Sequence, residues 1–384
     1  MNVREYTNPS GTLMTNGDGN VTFLPNPLPP TLNYDQELTN LVAEAHAKLG
    51  ELSGVGQLLP NPHLLILPYL RREAVLSSMI EGTQASLSDL FLFEVTGEES
   101  EELVRKRVRE VNNYVIALET TWRTVKRGKP ISLKLLKSAH QRLLAGVRGQ
   151  QAEPGSFRTI QNWIGATRRI EDAVYVPPAP QYIEEALRSL EEFIKNPPPD
   201  IPLLIQCALI HYQFEAIHPF IDGNGRIGRL LIPLYLCEKH GLSQPLLYLS
   251  EFLEGNRAEY YTALRSASQT SEWNGWIRFF LRGVSEHATE AVKNVQKLLR
   301  LRNAYDKRLR NVNASKNVIL LVEYLFRNPY TTAKNASEYL RVSFKTAQKA
   351  IAFLVKLGIL TETTSRKRNR VYVATQINHV LGGR

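Results

Sequence analysis

"IPLLIQCALIHYQFEAIHPFIDGNGRIGRLLIPLYLCEKHG" occupies Ile201–Gly241, and its reading decides the fold. Ile201–Ile217 is apolar almost all round, the pattern of a helix buried on every face. Arg226–Gly241 reads as a second buried helix, closed by Gly241 and bent at Pro233. Between them, "HPFIDGNGRIGR" (His218–Arg229) gathers one imidazole, one carboxylate, three glycines, one asparagine and two arginines. Two buried helices thus carry a cluster of polar groups at the mouth between them.

The same period spreads outward. Val104, Val108, Val111, Val115, Leu118 and Trp122 recur at steps of four and three, one stripe of a long helix over Glu101–Lys126. Ile183, Leu187, Leu190 and Ile194 repeat it, and Pro197–Pro199 stop that helix. "ISLKLLKSAHQRLLAG" has Ser132 as N-cap and Gly146 as its stop. Gly155–Pro180, β-branched and aromatic around a polar turn, reads as a small hairpin. Asn16–Asn20 reads as a turn between two short strands, and Pro25–Pro30 as extended chain.

From Asn317 the pattern changes to three short helices followed by "TETTSRKRNRVYVA", a basic hairpin. That is a winged helix-turn-helix pattern, with "SFKTAQKAIAFL" as recognition helix and Ser365–Arg370 as wing. Ala347, Ile351, Leu354 and Leu357 or Leu360 form the core face of the third helix. The expected fold is therefore mainly α: a helical core with a small β-hairpin flap, plus this C-terminal domain. The expected division is 1–110 for the N-terminal segment and helices, 111–283 for the core, 284–313 for a connecting helix and 314–384 for the winged helix.

Charge divides unevenly. Ala291–Arg384 holds 19 Lys/Arg against 4 Asp/Glu, so the tail alone carries +15 while the whole chain carries +10. A basic tail suggests a polyanion partner, DNA being the candidate, or a solvated charged surface. Cys207 and Cys237 lie in apolar runs and read as reduced, buried thiols. The N-terminus lacks the apolar region of a signal peptide, and the longest apolar run, Leu230–Cys237, is too short to span a bilayer. A cytoplasmic protein with no membrane partner is the expectation.

The loop's chemistry follows from its residues. Gly223 and Gly225 let the main chain adopt positive φ and approach a bulky ligand. Their N–H groups stand where the second helix begins and join its positive dipole end, a device for binding phosphate. Arg226 and Arg229, three apart, offer forked contacts to phosphate oxygens. Asp222 is a hard carboxylate suited to magnesium on a nucleotide. His218, with an unperturbed pKa near ~6.5, can take a proton from an attacking hydroxyl. These parts point to phosphoryl or nucleotidyl transfer. "GNGRIG" also matches the dinucleotide fingerprint in form, but a helix stands before it instead of a strand. His211 reads as a core histidine, as do Trp163, Trp273 and Trp276 among the tryptophans; packing is the reading for Tyr260 and Tyr261.

"HPFIDGNGRIGR" resembles the signature H-x-F-x-D/E-G-N-G-R-x-x-R of the Fic (filamentation induced by cAMP) family at every fixed position. "PGSFRT" before it and "YLSEFLEGNRAEYY" after it are similar to that family too, over roughly Leu38–Leu281. The resemblance implies a protein adenylyltransferase that moves AMP from ATP to a Ser, Thr or Tyr hydroxyl of a target protein, or of itself, and releases pyrophosphate. It implies His218 as catalytic base and Asp222 as the magnesium-holding residue. It implies nucleotide contacts from His218, from Gly223, Asn224 and Gly225 as the anion hole, from Arg226, Ile227, Gly228 and Arg229, and from Asn256. It further implies that Phe220 anchors the loop, and that the hairpin around "TRRIEDAVYVPP" aligns the target by strand addition.

"SSMIEG" (Ser77–Gly82) matches the family's inhibitory motif S/T-x-x-x-E-G/N. Ser77 and Glu81 share a helical face, with Gly82 ending the helix. The resemblance implies that Glu81 competes with ATP for Arg229. Gly225 stands where the Doc-type branch, which transfers phosphate, has Lys. A DNA-binding regulator, removal of AMP, or transfer of another nucleotide are the alternatives, and a homodimer is a further partner state that the family admits.

Overall fold

The computed structural model describes residues 1–57, 62–97, 102–147, 149, 151–167, 169–364 and 368–382. Among them the chain runs β1 (Gly11–Thr15), β2 (Val21–Pro25), α1 (Gln36–Gln57), α2 (Pro62–Ile80), α3 (Leu87–Thr96), α4 (Glu102–Lys126) and α5 (Leu133–Leu143). It continues through α6 (Pro180–Lys195), α7 (Leu203–Ile217), α8 (Asn224–Glu238), α9 (Ser250–Gly255), α10 (Arg257–Thr270) and α11 (Trp273–Asn311). It closes with α12 (Lys316–Arg327), β3 (Tyr330–Thr332), α13 (Ala333–Leu340), α14 (Phe344–Lys356), β4 (Thr361–Glu362), β5 (Val371–Val373) and α15 (Thr375–Val380). The protein is mainly helical, with two small antiparallel sheets among the described residues.

Two compact units result, each built from two stretches of chain: 1–54 with 113–289, and 55–112 with 290–384. The sequence division at 110/111 and 283/284 cuts the chain differently. Two long helices explain why. α4 and α11 each contribute residues to both units, and α11 runs unbroken through the expected start of a separate connecting helix at 284.

In the first unit, α7 is the central rod. Leu204–Phe214 is buried throughout, so a helix with no polar face packs on every side. α6 and α8 lie against it. α6 meets it with the expected stripe, Ile183, Leu187, Leu190 and Ile194 all buried. Trp276 and Trp273 are core, Trp276 Nε1 donating to the Ala208 carbonyl at 3.1 Å. The turn at Asn16–Asn20 joins β1 and β2 in register Gly11↔Pro25, as read. Fully buried Phe23 on β2 packs against Tyr6 and Tyr175.

α7 and α8 close over Gly228. A Cβ there would collide with Glu215 Oε1 and stand 3.2 Å from Phe214 Cδ1. α8 ends at Glu238, short of Gly241, with Lys239 as its cap.

In the second unit, α2 and α3 pack with the C-terminal elements. Asn328 Nδ2 donates to Glu94 Oε2 at 3.0 Å, and Glu94 also receives Arg71 Nε at 2.6 Å. Phe91 stacks on Tyr330. From α12 onward the order is helix, strand, two helices, two strands, with sheet order β3-β5-β4. Ala347, Ile351 and Leu354 are buried on α14 as expected, and Leu360 rather than Leu357 completes that face. β3 was not foreseen; its three residues are too few for a period to register. The expected wing, Ser365–Arg370, lies partly outside the described residues; Arg368, Asn369 and Arg370 are exposed.

Candidate active site

The loop between α7 and α8 is held from three sides. His218 caps α7 in the left-handed region, φ 49° and ψ 58°, which few residues other than glycine adopt. Its N–H still donates to the Phe214 carbonyl at 3.0 Å. Its Nδ1 lies 3.3 Å from the Glu215 carbonyl. A carbonyl only accepts, so in the neutral ring Nδ1 carries the hydrogen and Nε2 carries the basic lone pair.

Phe220 plants the loop in the core. It is fully buried, stacked on His140 with ring centroids 3.8 Å apart, and flanked by Phe157 and Phe214. Asn224 locks it there. Its Oδ1 accepts from Phe220 N–H and its Nδ2 donates to the Phe220 carbonyl, both at 2.8 Å. The Asn224 side chain is therefore committed to the loop itself. Asn162 Nδ2 reaches the same carbonyl at 2.9 Å.

Gly223 begins α8 at φ 84° and ψ 7°, and no side chain caps the helix. The first-turn N–H groups are thereby left to an outside acceptor. Gly225 differs from expectation: it sits inside the first turn of α8 with helical backbone, so the left-handed residues here are His218 and Gly223. Arg226 and Arg229 are both buried, 1% and 3% exposed. Arg226 Nη2 lies 3.4 Å from Asp222 Oδ1, a long contact, and Arg226 Nε has no hydrogen-bond partner among the described residues. A buried guanidinium so weakly compensated is a site for an incoming anion. Asp222 remains 38% exposed beside it.

Two residues that sequence reasoning missed hold this arrangement. His140, fully buried on α5, donates from Nε2 to the Asp222 carbonyl at 2.8 Å and accepts the Gly155 N–H on Nδ1 at 2.9 Å. Burial pulls its pKa down to about 4, so it is neutral at physiological pH. Arg158 donates to the His218 carbonyl from Nε at 3.0 Å. His140 falls on the buried stripe of α5 with Leu136, Ala139 and Leu143, which was its available signal; Arg158 sits among polar residues and gave no signal beyond the "PGSFRT" stretch that holds it.

The flap is slighter than expected. Among its described residues a single bridge, Ile164↔Tyr175, takes the place of a hairpin ladder, and a short 3-10 turn spans Ile170–Asp172. Arg168 lies outside the described residues. Trp163, read as core, is half-buried on this flap, because the segment stands off the helices. Tyr175 ties the flap to α7 through its hydroxyl, which donates to the Ala216 carbonyl at 2.7 Å.

Asn256 sits between α9 and α10, with Nδ2 donating to the Phe252 carbonyl at 2.9 Å. His211 is a core residue, as read: Nδ1 lies 3.1 Å from the Gly228 carbonyl and Nε2 2.8 Å from the Tyr260 hydroxyl. Tyr260 is buried with it, while Tyr261 is 42% exposed. Cys207 is buried as expected and Cys237 only half-buried; burial pushes the Cys207 thiol well up and that of Cys237 to about 12, which keeps both protonated at neutral pH. Ser77 and Glu81 belong to the second unit. Ser77 is buried on α2, which ends at Ile80; Glu81 follows in the closing turn and Gly82 stops it at φ 86°.

Burial of His140 and His211 sets a pH dependence. Burial also draws the pKa of His211 to about 4. Unfolded, each would titrate near ~6.5, so between those values the unfolded chain binds protons the folded chain refuses. Stability is full above ~6.5 and falls as pH drops toward about 4, by on the order of 3 kcal/mol per group. Urea midpoints from pH 7 to pH 4.5 should decline accordingly, and His211→Gln should flatten the decline.

The arrangement defines a helical protein whose loop brings together a buried, weakly compensated guanidinium, a carboxylate and an imidazole. The Fic/DOC family N-terminal model matches residues 39–123 and the Fic/DOC family model residues 130–236, half of the chain between them. The chain belongs to the Fic/DOC family.

Its relatives include protein adenylyltransferase fic-1 of Caenorhabditis elegans, 28% identical over 195 residues, 49% of this chain and 34% of that protein. Protein adenylyltransferase Fic of Nematostella vectensis is 26% identical over 264 residues, 67% of this chain and 55% of that one. The chain thus matches about a third to just over half of these relatives' lengths. The fold is shared with the crystal structure of a Fic family protein from Desulfovibrio desulfuricans G20, at TM-score 0.55 and 19% identity over 90% of this chain and 98% of that one. A Fic domain containing signaling protein from Bacteroides thetaiotaomicron VPI-5482 shares it at TM-score 0.52 and 19% identity, over 67% and 97%.

Proposed function

We propose that this chain is a protein adenylyltransferase, transferring AMP from ATP to a Ser, Thr or Tyr hydroxyl of a target protein or of itself. The observation that carries the reading is the pairing of an Nδ1-protonated His218 with the weakly compensated Arg226 at the open start of α8. The named activity of the relatives supports it.

The N–H groups of the first turn of α8, with Arg226 and Arg229, cradle the phosphates. His218 Nε2 takes the proton of the target hydroxyl as its oxygen bonds to the α-phosphorus. The bond from that phosphorus to the bridging oxygen breaks, and pyrophosphate leaves. Asp222 is a hard, part-exposed carboxylate with only a long contact to Arg226, so its donor chemistry fits magnesium and it would hold that ion. Magnesium, when bound, neutralises phosphate charge. Asn256, Ile227 and Gly228 contact the nucleotide in the same reading. The flap lays the target segment beside His218 by strand addition.

Glu81 is the brake in this reading. Its carboxylate competes with the γ-phosphate for Arg229 and turns the α-phosphate away from the hydroxyl. The match of Ser77–Gly82 to the inhibitory motif supports it. Glu81→Gly should raise incorporation of labelled AMP by about tenfold or more, equivalent to ~1.4 kcal/mol. Unchanged incorporation would remove the brake from the scheme. A cytoplasmic setting and a homodimer belong to the same proposal.

A second reading, DNA binding through the C-terminal winged helix, has one observation in its favour. α14 exposes Lys345, Gln348 and Lys349 on one face, within a tail of strong positive charge. Duplex affinity should then fall steeply with salt, and Lys345→Ala with Lys349→Ala should reduce the slope of log K against log salt by about two. Binding that ignores salt would mark the domain as a protein-interaction module.

A further inference from the structure

Arg158 reaches the loop and both roots of the flap. It is 3% exposed, yet it points into main chain rather than toward a carboxylate. Nε donates to the His218 carbonyl at 3.0 Å, Nη1 to the Ile160 carbonyl at 3.2 Å and Nη2 to the Pro178 carbonyl at 2.6 Å. Its own N–H donates to the Pro219 carbonyl at 2.9 Å. Ile160 precedes the flap bridge and Pro178 follows it, so one rigid fork spans both arms and the residue proposed as base.

We infer that Arg158 is a positioning residue, which sets the flap in register with His218 by clamping both arms of the flap and the His218–Pro219 backbone to one guanidinium. The inference rests on the proposed role of His218. Three physical points support it. His218 is in the left-handed region, where a non-glycine residue persists only if its surroundings hold it there. The flap's own pairing is a single bridge, too little to fix its direction. A planar guanidinium fixes three carbonyls at set angles, which an ammonium cannot do. Burial lowers the pKa of Arg158 to about 10, so it stays charged at neutral pH and its hydrogen bonds stay charge-assisted.

The test uses the full chain carrying Glu81→Gly, with Arg158→Met and Arg158→Lys compared to the parent. Amide exchange at Ile164, Val174, Tyr175 and His218 should quicken about tenfold in Arg158→Met, with little change at Tyr260 on α10. Affinity for Mg·ATP by calorimetry should hold within about twofold while the single-turnover rate of AMP transfer falls about 10- to 100-fold. Arg158→Lys should fall between, and it decides the matter should Arg158→Met fail to fold. Exchange and transfer both at parental levels would overturn the inference. So would faster exchange throughout the unit, Tyr260 included, which marks plain packing. Should the parent transfer nothing, the adenylyltransferase reading falls, and the exchange pattern still decides the clamp.

Discussion

His218→Ala should lower AMP transfer by about 10²- to 10⁴-fold, the usual worth of a positioned general base. The reason is local. The Glu215 carbonyl holds the hydrogen on Nδ1, which leaves Nε2 as the proton acceptor. Alanine removes that acceptor while leaving the loop's other anchors in place. Phe220 remains stacked on His140, and Asn224 remains bonded to the Phe220 backbone. Mg·ATP binding should therefore persist, and a thermal melt should move little. Alanine adopts the left-handed backbone less readily than histidine, so His218→Asn, which tolerates it better, provides the control. Equal loss in both variants assigns the effect to the imidazole. Full transfer by either one would remove His218 from the base role.

Arg226→Met should move activity and stability in opposite directions. Arg226 is 1% exposed, and among the described residues its guanidinium has a single long ion contact, 3.4 Å to Asp222, with Nε unpartnered. A buried charge so poorly compensated is costly, and an apolar side chain of similar volume is often neutral or stabilising by about 1–4 kcal/mol. The same change deletes the donor proposed for the phosphates, which should cost about 10²- to 10³-fold in transfer. Denaturant midpoint and transfer rate, measured side by side, separate this from a general loss of fold. A variant that unfolds and loses activity together would make Arg226 a structural residue.

The sequence disclosed the helices and the loop because both leave local signals. α4, α6 and α7 were legible from the spacing of Val108 to Trp122, of Ile183 to Ile194, and from the absence of any polar face on Leu204–Phe214. The loop was legible because its chemistry lies within twelve residues. What the sequence did not disclose acts across distance. Arg158 and His140 bond to main-chain carbonyls 60 and 82 residues away, and a carbonyl has no letter in the sequence. Gly225 was misread because glycine permits positive φ without requiring it; Gly223 makes the turn and the helix has begun by Gly225. The partition into two units escaped for the same reason. It depends on α2 and α3 packing with elements more than two hundred residues later, such as Phe91 on Tyr330.

The most direct test is intact mass, with and without Mg·ATP, of the Glu81→Gly chain. The expected result is a gain of one adenylyl group, absent when His218→Ala is added. No gain on the chain or on any protein of a lysate, together with no Mg·ATP binding by calorimetry, would contradict the assignment of this loop as a nucleotide-transfer site.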